Sequence, residues 1–516
     1  MMMSQIKRRS AMAIAPLIVI LCGNLISCAS KPKPAVTRTV GSTNGTPFPP
    51  MNSKYSGTAS GILPLASGPE AFVARLALAG KAQHTLDLLY YIWHGDQTGK
   101  LLAGAVIQAA QRGVKARLLL DDMGTAAKDR SLLILDSHPN IEVRLFNPIS
   151  LRSHRMLGTL LDFKRVNRRM HNKSFTADGK VAIVGGRYIG DEYFGAANEM
   201  NFADFDVVAK GPVVREVTQA FERYWNCAAA VPISEVSGEK VPASDLEKGQ
   251  RELLAHREKM EGTSYAAELR SSKLVNTPLN EIRFLKGKAV VVSDQPEKVT
   301  TRPEDASTHL APQMRDIVQN TKKEMILVSP YFIPGQEGVE WMAGLEQRGV
   351  AVKVITNSLA STDVAAVHAG YARYREALLK AGVELRELKA LPTTSDAGGS
   401  GFSLTGSSKA GLHAKTFVFD RRWVFVGSMN LDPRSLKLNT EMGMIIDSPE
   451  LAAQMLERVE ANLPQRTYRV ELTDAGLQWT TQEKGENVIL KSEPKAGFKK
   501  RLLWRVCSIL PIEGQL

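Results

Sequence analysis

An α/β fold made of two copies of one α/β/α unit is predicted by three features of this sequence. A strand–helix–strand order occurs twice, the same tetrapeptide ends the helix each time, and a histidine–lysine–aspartate string follows each copy. Residues 85–93 are a strand-type run, residues 101–111 have helical spacing, and residues 115–120 form a second apolar run of strand type. Residues 324–332, a helical stretch ending near Gln347, and residues 351–356 repeat the order. Both helices run into Gln-Arg-Gly-Val, at 111–114 and at 347–350. This order predicts right-handed βαβ units whose flanking strands are parallel.

The strings carry the chemistry. The first is His171-Asn-Lys173 with Asp178 and the pair Gly185-Gly186; the second is His413-Ala-Lys415 with Asp420 and Gly427-Ser428. His171 lies 60 residues after Gln111, and His413 lies 66 after Gln347. Positions i and i+2 of a strand share a face, so each imidazole and its ammonium should project into one cavity. Asp178 and Asp420 precede Gly179-Lys180 and Arg421-Arg422, which read as hairpin turns. The returning strands deliver the glycine pairs, whose backbone N–H groups are expected to approach an anion closely.

Two copies related by a pseudo-twofold axis would bring two histidines and two lysines into one cleft. That set suits phosphodiester chemistry without a metal. One imidazole attacks phosphorus, the other protonates the leaving alkoxide, and the lysines hold the non-bridging oxygens. The aspartates are expected to orient the imidazoles. No other His, Cys and carboxylate grouping has metal-ligand spacing, so neither a metal nor another cofactor is expected. The remaining seven histidines repeat no pattern.

Composition narrows the class. Of 516 residues, 44% are hydrophobic and 23% charged, which excludes a mainly disordered chain. A mean hydropathy of −0.15 excludes a polytopic membrane protein. The net charge of +13 favours anionic partners such as phospholipid, nucleic acid or a phosphorylated metabolite. Four cysteines (Cys22, Cys28, Cys227 and Cys507) are too few for a disulfide scaffold and include no CxxC pair. Whether Cys227 and Cys507 pair depends on the fold.

Lys7, Arg8 and Arg9 precede an apolar run over residues 11–22 and then Leu25-Ile26-Ser27-Cys28, the pattern of a bacterial secretory signal. The last four residues resemble a lipobox, which implies lipidation of Cys28; an uncleaved anchor helix is the alternative. Cleavage after Ser27 removes three cations and no acid, taking the net charge from +13 to +10. Residues 28–62 read as a flexible tether. Either reading places the body outside the cytosol on a membrane of the envelope, inner or outer.

The two H-x-K-x4-D strings resemble the HKD motifs of the phospholipase D superfamily, and the chain is similar to bacterial cardiolipin synthases, most of all the C-type. The resembling segments include LDLLYYIWHGDQTGKLL, MHNKSFTADGKVAIVGGRYIGDEYFG, TNSLASTDVAAVHAGYARYR and LHAKTFVFDRRWVFVGSMNLDPRSLKLNTEMG. The resemblance covers residue 63 to the C-terminus. It implies two pseudosymmetric α/β/α repeats, at 63–228 and 281–470, with mixed sheets around one shared active-site cleft. Residues 229–280 would connect them, and 471–516 would form a C-terminal segment with a basic amphipathic helix. It also implies transfer of a phosphatidyl group onto phosphatidylglycerol, with anionic phospholipid and the membrane surface as partners, no nucleic acid, and a monomer. The second copy matches H-x-K-x4-D-x6-G-S-x-N in full through Asn430, and Glu441 matches the acidic position that follows. The first copy departs at Tyr188, where the family usually has asparagine. By resemblance His171 is the nucleophile and His413 the acid/base; the pseudosymmetry admits the reverse.

Other readings stay open on sequence alone. A phospholipase D would give the same phosphatidyl group to water, and Tyr188 leaves room for a non-catalytic lipid binder. An exported nuclease has little support, because aromatics are only 6% and do not interleave with the cations. Residues 152–169 carry Arg152, Arg155, Lys164, Arg165, Arg168 and Arg169 against Asp162 alone, which reads as a headgroup-capturing rim or a solvated loop. Residues 498–510 alternate basic and apolar residues, suiting either a helix in the headgroup plane or one docked on the body. Residues 391–411 are a Gly/Ser-rich loop, either a lid or without a gating role.

Overall fold

The computed structural model describes residues 59–125, 129–197, 201–278, 280–390, 410–461, 463–510 and 514. The signal segment, Cys28, residues 28–58 of the tether and residues 391–409 of the loop lie outside the described residues.

The first copy contains β1 (Ser60–Leu65), β2 (Thr85–Tyr90), β3 (Lys115–Asp121), β4 (Ile141–Phe146), β5 (Ser174–Ala177), β6 (Val181–Gly185), β7 (Asn201–Ala203), β8 (Asp206–Lys210) and β9 (Ala230–Pro232). The second contains β10 (Leu285–Ser293), β11 (Glu324–Val328), β12 (Ala351–Asn357), β13 (Glu384–Leu388), β14 (Ala410–Leu412), β15 (Lys415–Phe419), β16 (Trp423–Gly427), β17 (Met442–Asp447), β18 (Thr467–Thr473), β19 (Gly476–Glu483) and β20 (Glu486–Leu490).

Pairing runs β1-β8-β6-β5-β2-β3-β4-β9 in the first sheet. In the second it runs β10-β17-β16-β15-β11-β12-β13-β18, extended by β19 and β20. The two orders are the same. Within these two sheets only the β2-β3-β4 and β11-β12-β13 pairs are parallel, because hairpins insert antiparallel strands beside them. The sheets are therefore mixed. β1 and β10, equivalent strands at the two edges, pair antiparallel through Gly61 and Lys286, as a local twofold axis requires, and so join both sheets.

The repeated tetrapeptide is a helix stop. The helices Gln97–Gln111 and Gly335–Gln347 each end in a glycine with positive φ, +95° at Gly113 and +81° at Gly349. The following valine N–H reaches back to Ala109 O at 3.1 Å and Leu345 O at 3.0 Å. A side chain with a Cβ disfavours that left-handed turn, which explains the glycine in both copies.

One hydrophobic cluster fills the space between the sheets. Val184, Val207 and Ala209 meet Val424, Val426 and Met444 there, with the inner faces of helices Val213–Trp225 and Pro449–Glu460. Separate clusters lie under the outer helices of each copy.

Several boundaries differ from the sequence reading. β1 begins at Ser60, within the span assigned to the tether, because it is needed to close the first sheet. β18 to β20 carry the second sheet beyond residue 470. Part of the connecting segment, helix Ala243–Met260, packs against helix Gln97–Gln111. Cys227 and Cys507 are both free, so they form no bridge.

Candidate active site

His171 and His413 sit just before β5 and β15, not within them as the i/i+2 argument assumed. Each lead-in segment is instead held by the opposite repeat. His171 N–H donates to Thr440 O and His413 N–H to Ala203 O, both at 2.8 Å. Lys173 and Lys415 turn their ammonium groups back onto the carbonyls of His171 and His413, the second at 2.6 Å.

The carboxylates that hold the imidazoles also come from across the interface. Nδ1 of His171 lies 3.0 Å from Glu441 Oε2, and Nδ1 of His413 lies 2.5 Å from Asp204 Oδ2. Strand register makes Asp204 and Glu441 equivalent, since Gly185 faces Asp206 and Gly427 faces Gly443. With a carboxylate accepting at Nδ1, the ring proton sits there and the Nε2 lone pair is left for chemistry. Ser428 Oγ also donates to Glu441 Oε2, and Asp294 Oδ2 accepts the Glu441 N–H at 2.6 Å.

Asp178 and Asp420 do not orient the imidazoles; that expectation is corrected. Asp178 accepts the backbone N–H groups of Gln83, His84 and Thr85 at 2.7–3.2 Å, and Asp420 those of Lys322, Lys323 and Glu324 at 2.7–3.1 Å. Each opens the three-residue loop of a hairpin, at the first central position of a β-turn whose two central residues both have positive φ, a geometry that Asp tolerates. They sit at the far end of the strand from the histidine.

The anion-cradle reading of the glycine pairs is corrected as well. Gly186 N–H donates to Phe205 O and Ser428 N–H to Met442 O, so these donors are spent inside the sheet. A Cβ at Gly185 or Gly186 would collide with Asp206 or Asp204, and one at Gly427 with Met442 and Gly443. The glycines make room for β8 and β17 and for the carboxylate that holds His413. Glu441, expected to bind phosphate, is committed to His171. Asn430 is buried and its Oδ1 has no hydrogen-bond partner, which leaves it available to a ligand.

Burial sets the charge states. It pulls His171 down to about 4 and His413 to about 3, against the raising effect of Glu441 and Asp204. Burial pushes Asp204 and Glu441 up, but the imidazoles and lysines beside them outweigh it and hold both below the usual carboxylate range. Burial lowers Lys173 well below its ordinary value and Lys415 to about 8. At neutral pH the site thus holds neutral imidazoles and ionised carboxylates.

Sequence reasoning missed Asp204 and the aromatic lining. Asp204 lies 19 residues after Gly185, whereas Glu441 lies 14 after Gly427, because the connection that follows the short helix is longer in the first copy, from Phe194 to Asp204, than in the second, from Lys437 to Glu441. Asn201 stands three residues before Asp204 and Asn439 two before Glu441, so the residues around the carboxylates give no shared spacing that could have found it. Tyr188 stands between the histidines, its ring centroid 5.4 Å from that of His171 and 5.0 Å from that of His413. Its hydroxyl bonds Nε2 of His171. Tyr91 lies 5.2 Å from His171; Tyr193 and Phe202 lie 5.1 and 5.4 Å from His413. Among the described residues one trio, His94, Asp96 and Glu192, has ligand atoms close enough to share a cation, but Asp96 already caps helix Gln97–Gln111.

The basic segment differs from a free rim. Arg152 and Arg155 bond Asp122, Arg165 bonds Asp162, Arg169 bonds Asp121, and Arg168 donates to Lys298 O and Thr301 O. Those guanidinium groups tie the segment to the body. Beside the exposed Ser153, His154 and Lys164, the segment also exposes apolar side chains: Met156 is 83% exposed, Leu160 69% and Leu161 73%.

A family model described as "Cardiolipin synthase, PLD-like domain" matches residues 76–225 and 314–463, one match in each repeat. Cardiolipin synthase C of Escherichia coli (strain K12) is 44% identical over 479 residues, covering 90% of this chain and 98% of that protein. Cardiolipin synthase B of the same organism is 26% identical over 416 residues, covering 78% and 83%. Among solved structures, phosphatidylserine synthase of Haemophilus influenzae Rd KW20 superposes with a TM-score of 0.58 at 15% identity, covering 90% of this chain and 98% of that one, a likeness of fold. With both repeats matched and nearly the whole length shared with a curated relative, the chain belongs to the family of cardiolipin synthases with phospholipase-D-like domains.

Proposed function

We propose that this protein is a phosphatidyltransferase that makes cardiolipin from phosphatidylglycerol and a second phospholipid through a phosphohistidine. The observation that carries this reading is the reciprocal one: two neutral imidazoles flank one phenol ring, each held at Nδ1 by a carboxylate of the other repeat. In the first step His413 takes up a proton from solvent at Nε2 as the anionic phosphate enters, and the Nε2 lone pair of His171 attacks phosphorus; the P–N bond forms, the bond to the leaving glycerol breaks, and the alkoxide takes that Nε2 proton, leaving His413 neutral. In the second, His413 accepts the proton of the incoming hydroxyl, whose oxygen attacks phosphorus as the P–N bond breaks. Lys173, Lys415 and Asn430 hold the non-bridging oxygens, where charge grows in both transition states.

The substrates are bilayer lipids, and two exposed apolar faces suit a membrane surface. One is the segment with Met156, Leu160, Leu161 and Phe163 that leads into His171. The other is helix Phe498–Ile509. It is docked on the body, with Lys500 donating to Ala360 O and Thr362 O, while Phe498 and Ile509 face outward, 80% and 85% exposed. The two alternatives for this helix are thus compatible. Among the described residues no helix is long and apolar enough to cross a membrane. Attachment in this reading is through Cys28, lipidated after export, with the residues that follow it up to β1 as the tether.

The test uses the purified full chain with phosphatidylglycerol labelled in the phosphate. Cardiolipin should form, and acid-labile, base-stable label should be trapped on the protein. His171→Ala and His413→Ala should each cut turnover by at least about 10³-fold with the fold retained. Normal turnover in both variants would overturn the site, and phosphatidic acid as the sole product would make the protein a phospholipase D.

A further inference from the structure

The two repeats match in the histidine, the lysine and the carboxylate that holds the imidazole, and one of the positions at which they differ lies between the imidazoles. Tyr188 stands three residues after Gly185, and Asn430 three after Gly427, so they are equivalent across the pseudo-twofold axis. The amide of Asn430 leaves an oxygen unpartnered; the phenol of Tyr188 fills the space between the imidazoles. Its ring lies 4.3 Å from Lys173 Nζ, and its hydroxyl meets Nε2 of His171. Nδ1 of that ring gives its proton to Glu441, so Nε2 is the acceptor and the phenol the donor. Burial, which pushes the Tyr188 hydroxyl well above 10, agrees with that direction.

The attacking lone pair is therefore occupied until something displaces the phenol, and a phosphate entering between the two imidazoles must do so. The displaced ring has aromatic neighbours on both sides, Tyr91 near His171 and Tyr193 and Phe202 near His413. It stays beside the phosphohistidine and occupies volume that would otherwise take water. We propose that Tyr188 selects the acceptor: it yields His171 to a lipid phosphate and then keeps water from the phosphohistidine, so that the hydroxyl of a second lipid takes the phosphatidyl group. The inference rests on the phosphohistidine reading above. Transfer and hydrolysis have the same balance, with an O–P bond formed, the P–Nε2 bond broken and one proton passed to His413; they differ only in which hydroxyl enters.

The ratio of phosphatidic acid to cardiolipin tests this, measured with the full chain on phosphatidylglycerol vesicles beside total glycerol release. Tyr188→Asn copies the equivalent residue and opens room for about two waters, so the ratio should rise at least about tenfold. Tyr188→Phe keeps the ring, so its ratio should stay within about twofold of the parent. Its acid limb should move to higher pH, since Nε2 has lost a donor that favours the neutral ring. An unchanged ratio in Tyr188→Asn, or an equal rise in Tyr188→Phe, overturns the proposal. If Tyr188→Asn does not fold by circular dichroism, Tyr188→Leu replaces it, with a rise of at least about threefold expected and no rise counting against the proposal. Failure of the underlying reading looks different: His171→Ala would go on releasing glycerol, and no variant would carry labelled histidine.

Discussion

Lys415 ties the chemistry to pH most directly. Burial lowers its ammonium to about 8, while burial of His171 lowers that imidazole to about 4. The proposed reaction needs His171 neutral, which holds above its pKa, and Lys415 charged, which holds below its pKa. kcat/KM on vesicles should therefore rise through about pH 4 and fall through about pH 8. Lys415→Arg keeps its charge to far higher pH and should move the alkaline limb up by at least about one unit, even where the larger group lowers the maximum. An alkaline limb that stays put in that variant would assign it to another group. The histidines and lysines were legible in the sequence because their spacing repeats. Asp204 was not, because a longer connection after the short helix Asp191–Phe194 shifts it by five positions relative to Glu441.

Asp178 and Asp420 belong to their hairpins. The strand hairpin β5–β6 and its counterpart β15–β16 each end in an aspartate that gathers three backbone N–H groups from the loop entering β2 or β11. The motif thus includes a fastener for the strand that neighbours the histidine-bearing one. Burial pushes the Asp178 carboxyl up, but the amides of Thr85, Gln83 and His84 pull it further down, and the net position is below the ordinary value. A depressed carboxylate stabilises the fold above its unfolded pKa of about 3.9, and that contribution is lost as pH falls through the folded value. Solvent screens this partly exposed carboxylate, so Asp178→Asn should cost only about 0.5–1 kcal/mol in urea unfolding at pH 7, and the gap to the parent should shrink as pH falls below about 4. A cost that persists unchanged at low pH would mean the carboxylate charge is not what holds the loop. Spacing alone put an aspartate after each lysine; only the fold showed that its carboxylate turns away from the imidazole.

Neither repeat holds a complete site. The β1–β10 pair joins the sheets, Thr440 Oγ1 meets Asn172 Oδ1 at 2.7 Å, and Arg434 donates to Asn167 O, so the interface is bonded around the cavity. At this scale the proposed substrate, a bilayer lipid, would meet the protein as a surface. Leu160 and Leu161 are exposed and outside the reacting groups. Leu160→Asp/Leu161→Asp should weaken co-sedimentation with phosphatidylglycerol vesicles at least about tenfold, since each leucine lost from the interface forfeits about 1–2 kcal/mol of apolar burial. Turnover of a short-chain, water-soluble phosphatidylglycerol should be unaffected. Equal binding by the variant would remove this face from the membrane contact.

Periodicity and spacing carry what is local or repeated. The sequence alone determined two α/β/α copies, the glycine helix stops, and the paired histidines and lysines, because each follows from backbone geometry within one stretch or from a pattern written twice. Which carboxylate faces which imidazole was decided only by the tertiary structure. His171 and Glu441 are 270 residues apart and His413 and Asp204 are 209 apart, and no local rule links such positions. The packing of one sheet against the other makes those contacts, and it sets the phenol of Tyr188 between the two imidazoles.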